Sequence, residues 1–279
     1  STYDGLLDPL GGSQILPYLK GLNTNSQYGY TIISFEKNRD QIEFEKLKDF
    51  LISENIDWIP LSYTKKPPIL STIWDIFKLN KTAKEIVKKH NIKLIHCRSY
   101  ITSLVALNFK LKYNIPFIFD MRGFYADERV DGKLWNKEKF PFNKIYNYFK
   151  KKEKEFIQYA DYTISLTKNG KKEIESWKLP NQSPIKIIPC CTDENLFQID
   201  KITNKKDELR LKKDDFILSY IGSIGTWYML DEMLDFFNVL NKKKSNAKFL
   251  FITEDDPNII FSKAELKGIA KEKLIIQPS

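Results

Sequence analysis

Short apolar runs of strand length alternate with amphipathic stretches of helical length along almost the whole chain, and few architectures accommodate that rhythm. Tyr28 to Phe35, Ile56 to Leu61, Ile92 to His96, Phe117 to Phe119, Tyr162 to Leu166 and Ile185 to Pro189 read as strands. Gln41 to Ile52, Ile73 to His90, a stretch ending near Lys112, Lys137 to Tyr159 and a stretch from Thr167 to Trp177 read as helices. Apolar residues within 73–90 include Ile73, Ile76, Phe77, Ala83, Ile86 and Val87. Pro141 is expected at the start of its helix and Thr167 as a helix cap. Parallel strands need crossover helices, so the pattern predicts an α/β fold with a parallel sheet covered on both faces.

The charged, apolar-poor stretch from Ile199 to Asp214 interrupts the rhythm and reads as a linker. The alternation then resumes with strands at Phe216 to Ile221, Ala247 to Thr253 and Leu274 to Gln277, and helices at about Leu230 to Leu240 and Ile260 to Ala270. The expected organisation is a first domain over 1–198, a linker over 199–213 and a partial second domain over 214–279. A doubly wound domain normally needs more than about 100 residues, so the second is expected to be truncated. A parallel strand is likewise expected ahead of Ser1, missing from the first domain.

The stretch 116–135, PFIFDMRGFYADERVDGKLW, gives the sharpest site signal. A buried strand runs directly into a knot of opposite charges, and ligands of open α/β sheets bind beyond the carboxyl ends of strands. Asp120, Arg122 and Glu128 are therefore the candidate catalytic residues. Gly123 permits a positive φ or close backbone approach. Tyr125, Arg129 and, beyond the preceding strand, Arg98 and Tyr100 are candidates for acceptor contact. The plainer reading of these charges is mutual pairing that only shapes a loop.

Near the start, the turn-rich Asp8-Pro-Leu-Gly-Gly-Ser-Gln14 precedes an amphipathic segment. Ser13 is expected to cap it, with Gly11 and Gly12 offering amides to an anion. In the second domain Gly222, Ser223, Gly225 and Thr226 form the corresponding loop.

Composition excludes several classes. Cys97, Cys190 and Cys191 do not make a disulfide framework, and the two histidines, His90 and His96, give no zinc spacing. Cys190 and Cys191 are expected to pack as small buried groups, and His96 as a structural histidine. No apolar run is long enough to span a bilayer and no signal peptide is visible, so the expected location is cytoplasmic. The net charge of +9 suits phosphorylated substrates, an anionic membrane or nucleic acid, but no nucleic-acid motif accompanies it and no nucleic-acid partner is expected. Lys133 to Glu155 is rich in lysine with aromatics interleaved. It reads as an amphipathic core helix or, more sharply, as a dock for an anionic membrane.

The motifs in order resemble family 4 glycosyltransferases of the GT-B fold, which have two Rossmann-like domains with parallel sheets. Asp8 to Gln14 looks like the family's first glycine loop, and Asp161 to Thr167 like its "D-x-x-x-x-x-S/T" strand. Ile188-Pro-Cys-Cys-Thr-Asp193 with Phe197 looks like "I-P-N-G-V-D-x-x-x-F". Tyr220 to Gly225 resembles "F-V-G-R-L", and Phe249 to Asp255 resembles "L-x-I-x-G-x-G". The 116–135 stretch is similar to a bacterial subgroup tied to surface polysaccharides: lipopolysaccharide, capsule or exopolysaccharide. The resemblance implies retaining transfer of a hexosyl-type sugar from a nucleotide-sugar donor to a lipid-linked or glycan acceptor, without metal or cofactor, possible at the inner face of a membrane. It places Gly11, Gly12, Ser13 and the Gly222 to Thr226 loop at the donor.

Three departures qualify it. Arg122 stands where the family often has a histidine, and a guanidinium cannot serve as a base. The Gly222 loop lacks the family's basic pair, so Arg122 is expected to supply phosphate charge with the Gly222–Thr226 amides. The family's Glu-x7-Glu element would lie beyond Ser279, so this chain alone is expected to be inactive. The alternatives are a GT-B nucleotide-sugar epimerase, a basic nucleic-acid binder, or a non-catalytic acceptor-binding protein.

Overall fold

The computed structural model describes residues 1–25, 27–37, 40–192, 208–209, 211–225 and 227–278. Most of the expected linker, Asp193 and Phe197 of the signature, and Thr226 lie outside the described residues. The chain divides into two compact units: Ser1–Val130 with Trp135–Cys191, and Thr192–Ser279 with the short stretch Asp131–Leu134.

In the first unit, β1 (Tyr30–Glu36) pairs parallel with β2 (Ile56–Ser62). A parallel row of β3 (Ile95–Arg98), β4 (Phe117–Asp120), β5 (Tyr162–Ser165) and β6 (Ile185–Ile187) lies in that order. Thr2 joins the two sets: its N–H donates to the Ile33 carbonyl at 2.9 Å, and it bridges Arg98 in parallel. A single bridge residue, Thr2, thus lies between β1 and β3, just after the place where the first strand is expected.

The helices are α1 (Leu16–Thr24), entered through a π-helical turn over Gly11–Ile15, then α2 (Gln41–Ser53), α3 (Leu70–Lys89), α4 (Ser99–Tyr113), α5 (Tyr125–Asp131), α6 (Phe142–Tyr159) and α7 (Lys168–Ser176). Asp40 caps α2 by accepting from the Ile42 and Glu43 amides. Thr167 caps α7 by accepting from Gly170, as its position suggests. Pro141 stands at the N-cap of α6. The apolar strands and the inner sides of α4 and α6 share one core, in which Phe117, Phe119 and Phe156 are fully buried. Each such ring contributes about 2–3 kcal/mol by leaving water.

Two boundaries move. Cys97 and Arg98, expected in a loop, complete β3, with Arg98 in register with Asp120 of β4. Helix α3 begins three residues earlier than expected, and its Ile73 and Phe77 face solvent, whereas Ile76, Leu79, Ala83, Ile86 and Val87 face the core.

The second unit has β7 (Phe216–Ile221), β8 (Ala247–Ile252) and β9 (Leu274–Gln277), all parallel in that order, with α8 (Leu230–Lys243) and α9 (Pro257–Leu266). Leu234, Phe237, Phe251 and Ile260 are fully buried in its own core. Asp256 caps α9, which starts earlier than the apolar pattern suggested.

Candidate functional site

The chemistry of the first unit gathers where β3 and β4 end. Register sets Arg98 beside Asp120. Two residues on, Arg122 has φ 60°. A left-handed backbone costs an ordinary side chain about 1–2 kcal/mol, and here it falls on the arginine and not on Gly123. At Gly123 a Cβ would lie 1.9 Å from the Glu128 Oε1, so that carboxylate rests against the glycine and would have to swing away from a larger residue.

This strained turn brings Arg122 to Gln14. The Gln14 Oε1 accepts from Arg122 at 2.6 Å and from Arg98 at 2.9 Å. Carboxylate contacts to the same arginines are longer: Arg98 Nε lies 3.4 Å from Asp4, and Arg122 Nη1 lies 3.8 Å from Asp120 Oδ1. Asp120 Oδ2 is 3.4 Å from the His96 Nε2. Its Oδ1 is buried without a hydrogen-bond donor among the described residues. Arg122 also reaches the Cys190 Sγ at 3.4 Å. Two guanidinia therefore converge on one neutral amide oxygen, and an anionic oxygen in its place would accept stronger bonds from both.

The first glycine loop is built differently from expectation. Ser13 does not cap a helix; it lies inside one and its hydroxyl donates to the Pro9 carbonyl at 2.7 Å. The amides of Gly11 and Gly12 both donate to the Asp8 carbonyl, at 2.8 and 3.1 Å, so they are already spent within the helix. Gly11 is needed for contact, since a Cβ would meet the Gly5 carbonyl at 2.2 Å. The loop is held from below by Glu36, a buried carboxylate that accepts from the Leu6 and Leu7 amides and the Ser34 hydroxyl. Gln14, Asp4 and Glu36 had no assigned role in the sequence; only Gln14 stood within a recognised motif.

The acceptor candidates divide. Tyr100 is fully buried, donating its hydroxyl to Glu153 with the Gly123 carbonyl 3.2 Å away, and cannot touch an acceptor. It lies on the inward side of α4, where a strand-end aromatic becomes core. Tyr125 packs against Tyr100 and Trp135, and the Arg129 guanidinium covers its ring at 5.0 Å. Arg98 alone of that set joins the cluster around Gln14. Cys190 and Cys191 are exposed, contrary to expectation; the Tyr18 hydroxyl donates to the adjacent Pro189 carbonyl at 3.4 Å.

In the second unit the Gly222 loop holds a carboxylate of its own. Asp255 accepts from the Ser223 hydroxyl at 2.6 Å and the Ile224 amide at 2.7 Å. Those bonds, the Ser223 one first, hold its carboxyl below the usual range. The Gly222 amide donates to Ile252. Three of the donors expected to meet a diphosphate, the Gly222 and Ile224 amides and the Ser223 hydroxyl, are therefore engaged, while Gly225 faces open space. Among the described residues no cluster of metal-ligating side chains occurs, and no helix is long and apolar enough to cross a membrane.

Parallel α/β units of this kind define a Rossmann-like class of fold. Residues 30–196 match the model of Glycosyltransferase Family 4, and the chain belongs to that family. It is similar to an uncharacterized glycosyltransferase of Methanocaldococcus jannaschii, 26% identical over 253 residues, covering 82% of this chain and 53% of that protein. The sucrose-phosphate synthase of Thermosynechococcus elongatus shares the fold with a TM-score of 0.66 at 14% identity, over 95% of this chain and 64% of that one. HepE of Anabaena, solved in complex with UDP and glucose, gives 0.62 at 11% identity, over 99% and 68%. The fold is GT-B. The chain spans about half the length of its curated relative.

Proposed function

We propose that the protein is a retaining glycosyltransferase that moves a hexose-type sugar from a nucleotide-sugar to a lipid-linked or polysaccharide acceptor in surface-glycan synthesis. The pairing of Arg98 and Arg122 on Gln14 carries this reading. In front-face transfer the bond from the sugar C1 to the leaving phosphate oxygen breaks, and the acceptor oxygen bonds to C1 on the same face. The acceptor proton passes to the departing phosphate, so no protein base is required. Arg122 stabilises the negative charge that develops there. Asp120, with its unsatisfied Oδ1, holds Arg122 and His96 in place and can accept from an acceptor hydroxyl. A UDP-type donor is supported by the UDP and glucose complex of HepE. No metal or cofactor enters the scheme.

The test is the complete protein incubated with a panel of nucleotide-sugars, following nucleoside diphosphate release with and without acceptor. Arg122→Lys keeps the charge but loses the planar fork and is expected to lower turnover about a hundredfold; near wild-type turnover refutes its role. Interconversion of the donor sugar without any acceptor would identify an epimerase instead.

A further inference from the structure

Helix α3 keeps one face uncovered. Its rotation is fixed by Asp75, which is fully buried, accepts from the Tyr3 hydroxyl at 2.8 Å and the Thr64 amide at 3.1 Å, and lies 2.7 Å from the Lys78 Nζ. Leu79, Ala83, Ile86 and Val87 pack on that inward side. The residues at i, i+3, i+4 and i+7 on the opposite side are Leu70, Ile73, Trp74 and Phe77, exposed by 63, 56, 54 and 54%. The Trp74 and Phe77 rings stack with centroids 5.3 Å apart. The helical period carries the same stripe on to Lys81, Lys84 and Lys88, all exposed, with Glu85 on its flank. Exposed Lys65 and Lys66 stand in the segment that enters the helix. Entry is abrupt: Ile69 has φ 71° and ψ −58°, and the Leu70 amide donates back to the Pro68 carbonyl at 2.8 Å. This is the strained form of γ-turn.

Scattered apolar residues on a surface need no explanation, but a contiguous patch with a polar border does. Helix α6, the first candidate from sequence, is not this surface. Its Phe149 and Phe156 are in the core, and Lys150 and Lys152 are engaged by Asp127, Glu153 and Glu155.

We propose that the outward face of α3 docks on an anionic lipid bilayer. Leu70, Ile73, Trp74 and Phe77 enter the boundary between headgroups and acyl chains, and Lys65, Lys66, Lys81, Lys84 and Lys88 meet the lipid phosphates. Interfacial helices combine these two zones, and the charge beside the rings is overwhelmingly of one sign, complementary to such a leaflet. The inference deepens the acceptor side of the proposed function, because a lipid-linked acceptor would be met at that surface.

The experiment is sedimentation of the complete protein with phosphatidylcholine vesicles, with and without phosphatidylglycerol, at low and high salt. Wild type is expected to bind the anionic vesicles at low salt. Trp74→Ser with Phe77→Ser should weaken binding at least about tenfold. Lys81→Glu with Lys84→Glu should weaken it at least about tenfold and flatten its salt dependence. The α6 variant Lys144→Glu with Lys154→Glu should bind as wild type does. Absence of wild-type binding overturns the proposal, as does unchanged binding by the Trp74/Phe77 variant. So does a dimer, sensitive to that variant, in place of vesicle binding. Diphosphate release from a soluble donor is measured in parallel: vesicle binding without release would sink the transfer reading alone, and release without binding would sink the docking alone.

Discussion

Arg122 carries a backbone cost, and the proposed function gives it a chemical task. Its left-handed φ of 60° is one that asparagine tolerates better. Arg122→Asn is therefore expected to hold stability or raise it by up to about 1 kcal/mol in urea unfolding. The same variant should lower sugar transfer by about a hundredfold. Loss of both would mean that the arginine is structural. Glu153 gives a second residue-level test. It is fully buried beneath Tyr100 and beside Lys150. Burial raises its carboxyl above the ordinary value of 4.5, against the bonds from Lys150 and Tyr100. A raised carboxyl binds its proton more tightly in the folded chain. Its contribution is therefore full below the ordinary value and is lost as pH rises through the raised one. Wild type should lose melting temperature relative to Glu153→Gln as pH rises from about 4.5, and parallel melting curves would contradict this.

At the scale of elements, strands were the most legible feature, because parallel strands buried on both faces read as plain apolar runs. The end of β3 was not, because Cys97-Arg98 looks like loop and becomes strand only through its pairing with β4. The orientation of α3 was also hidden, since its apolar residues fall on two sides and a distant residue, Tyr3, helps Asp75 choose between them. The glycine loops were recognisable as loops, yet the Gly11 and Gly12 amides were taken by the Asp8 carbonyl, and the Ile224 amide and Ser223 hydroxyl by Asp255. The first capture is a local helical turn, and the second depends on a contact between segments 31 residues apart. Two substitutions test them. Gly11→Ala forces a Cβ against the Gly5 carbonyl and Leu6 Cα, and should cost about 1–3 kcal/mol in denaturant unfolding. Asp255→Ala releases the Ile224 amide and the Ser223 hydroxyl, and calorimetric titration of the complete enzyme with UDP should show tighter binding, by about 1–2 kcal/mol. Unchanged affinity would remove this loop from the donor site.

At the scale of the whole molecule, the two units have separate cores, one holding Phe117, Phe119 and Phe156, the other Phe237, Phe249 and Phe251. Calorimetry should show two transitions. Phe237→Ala should lower only one, by about 3–5 kcal/mol, and a single transition shifted as a whole would argue against separate cooperative units.

The outward stripe of α3 also has a consequence for handling the protein. Salts that strengthen apolar association should make purified material cling to phenyl resins and cloud on concentration, and a mild detergent should keep it clear. Exchange of Trp74 for a polar residue should lessen the need for that detergent.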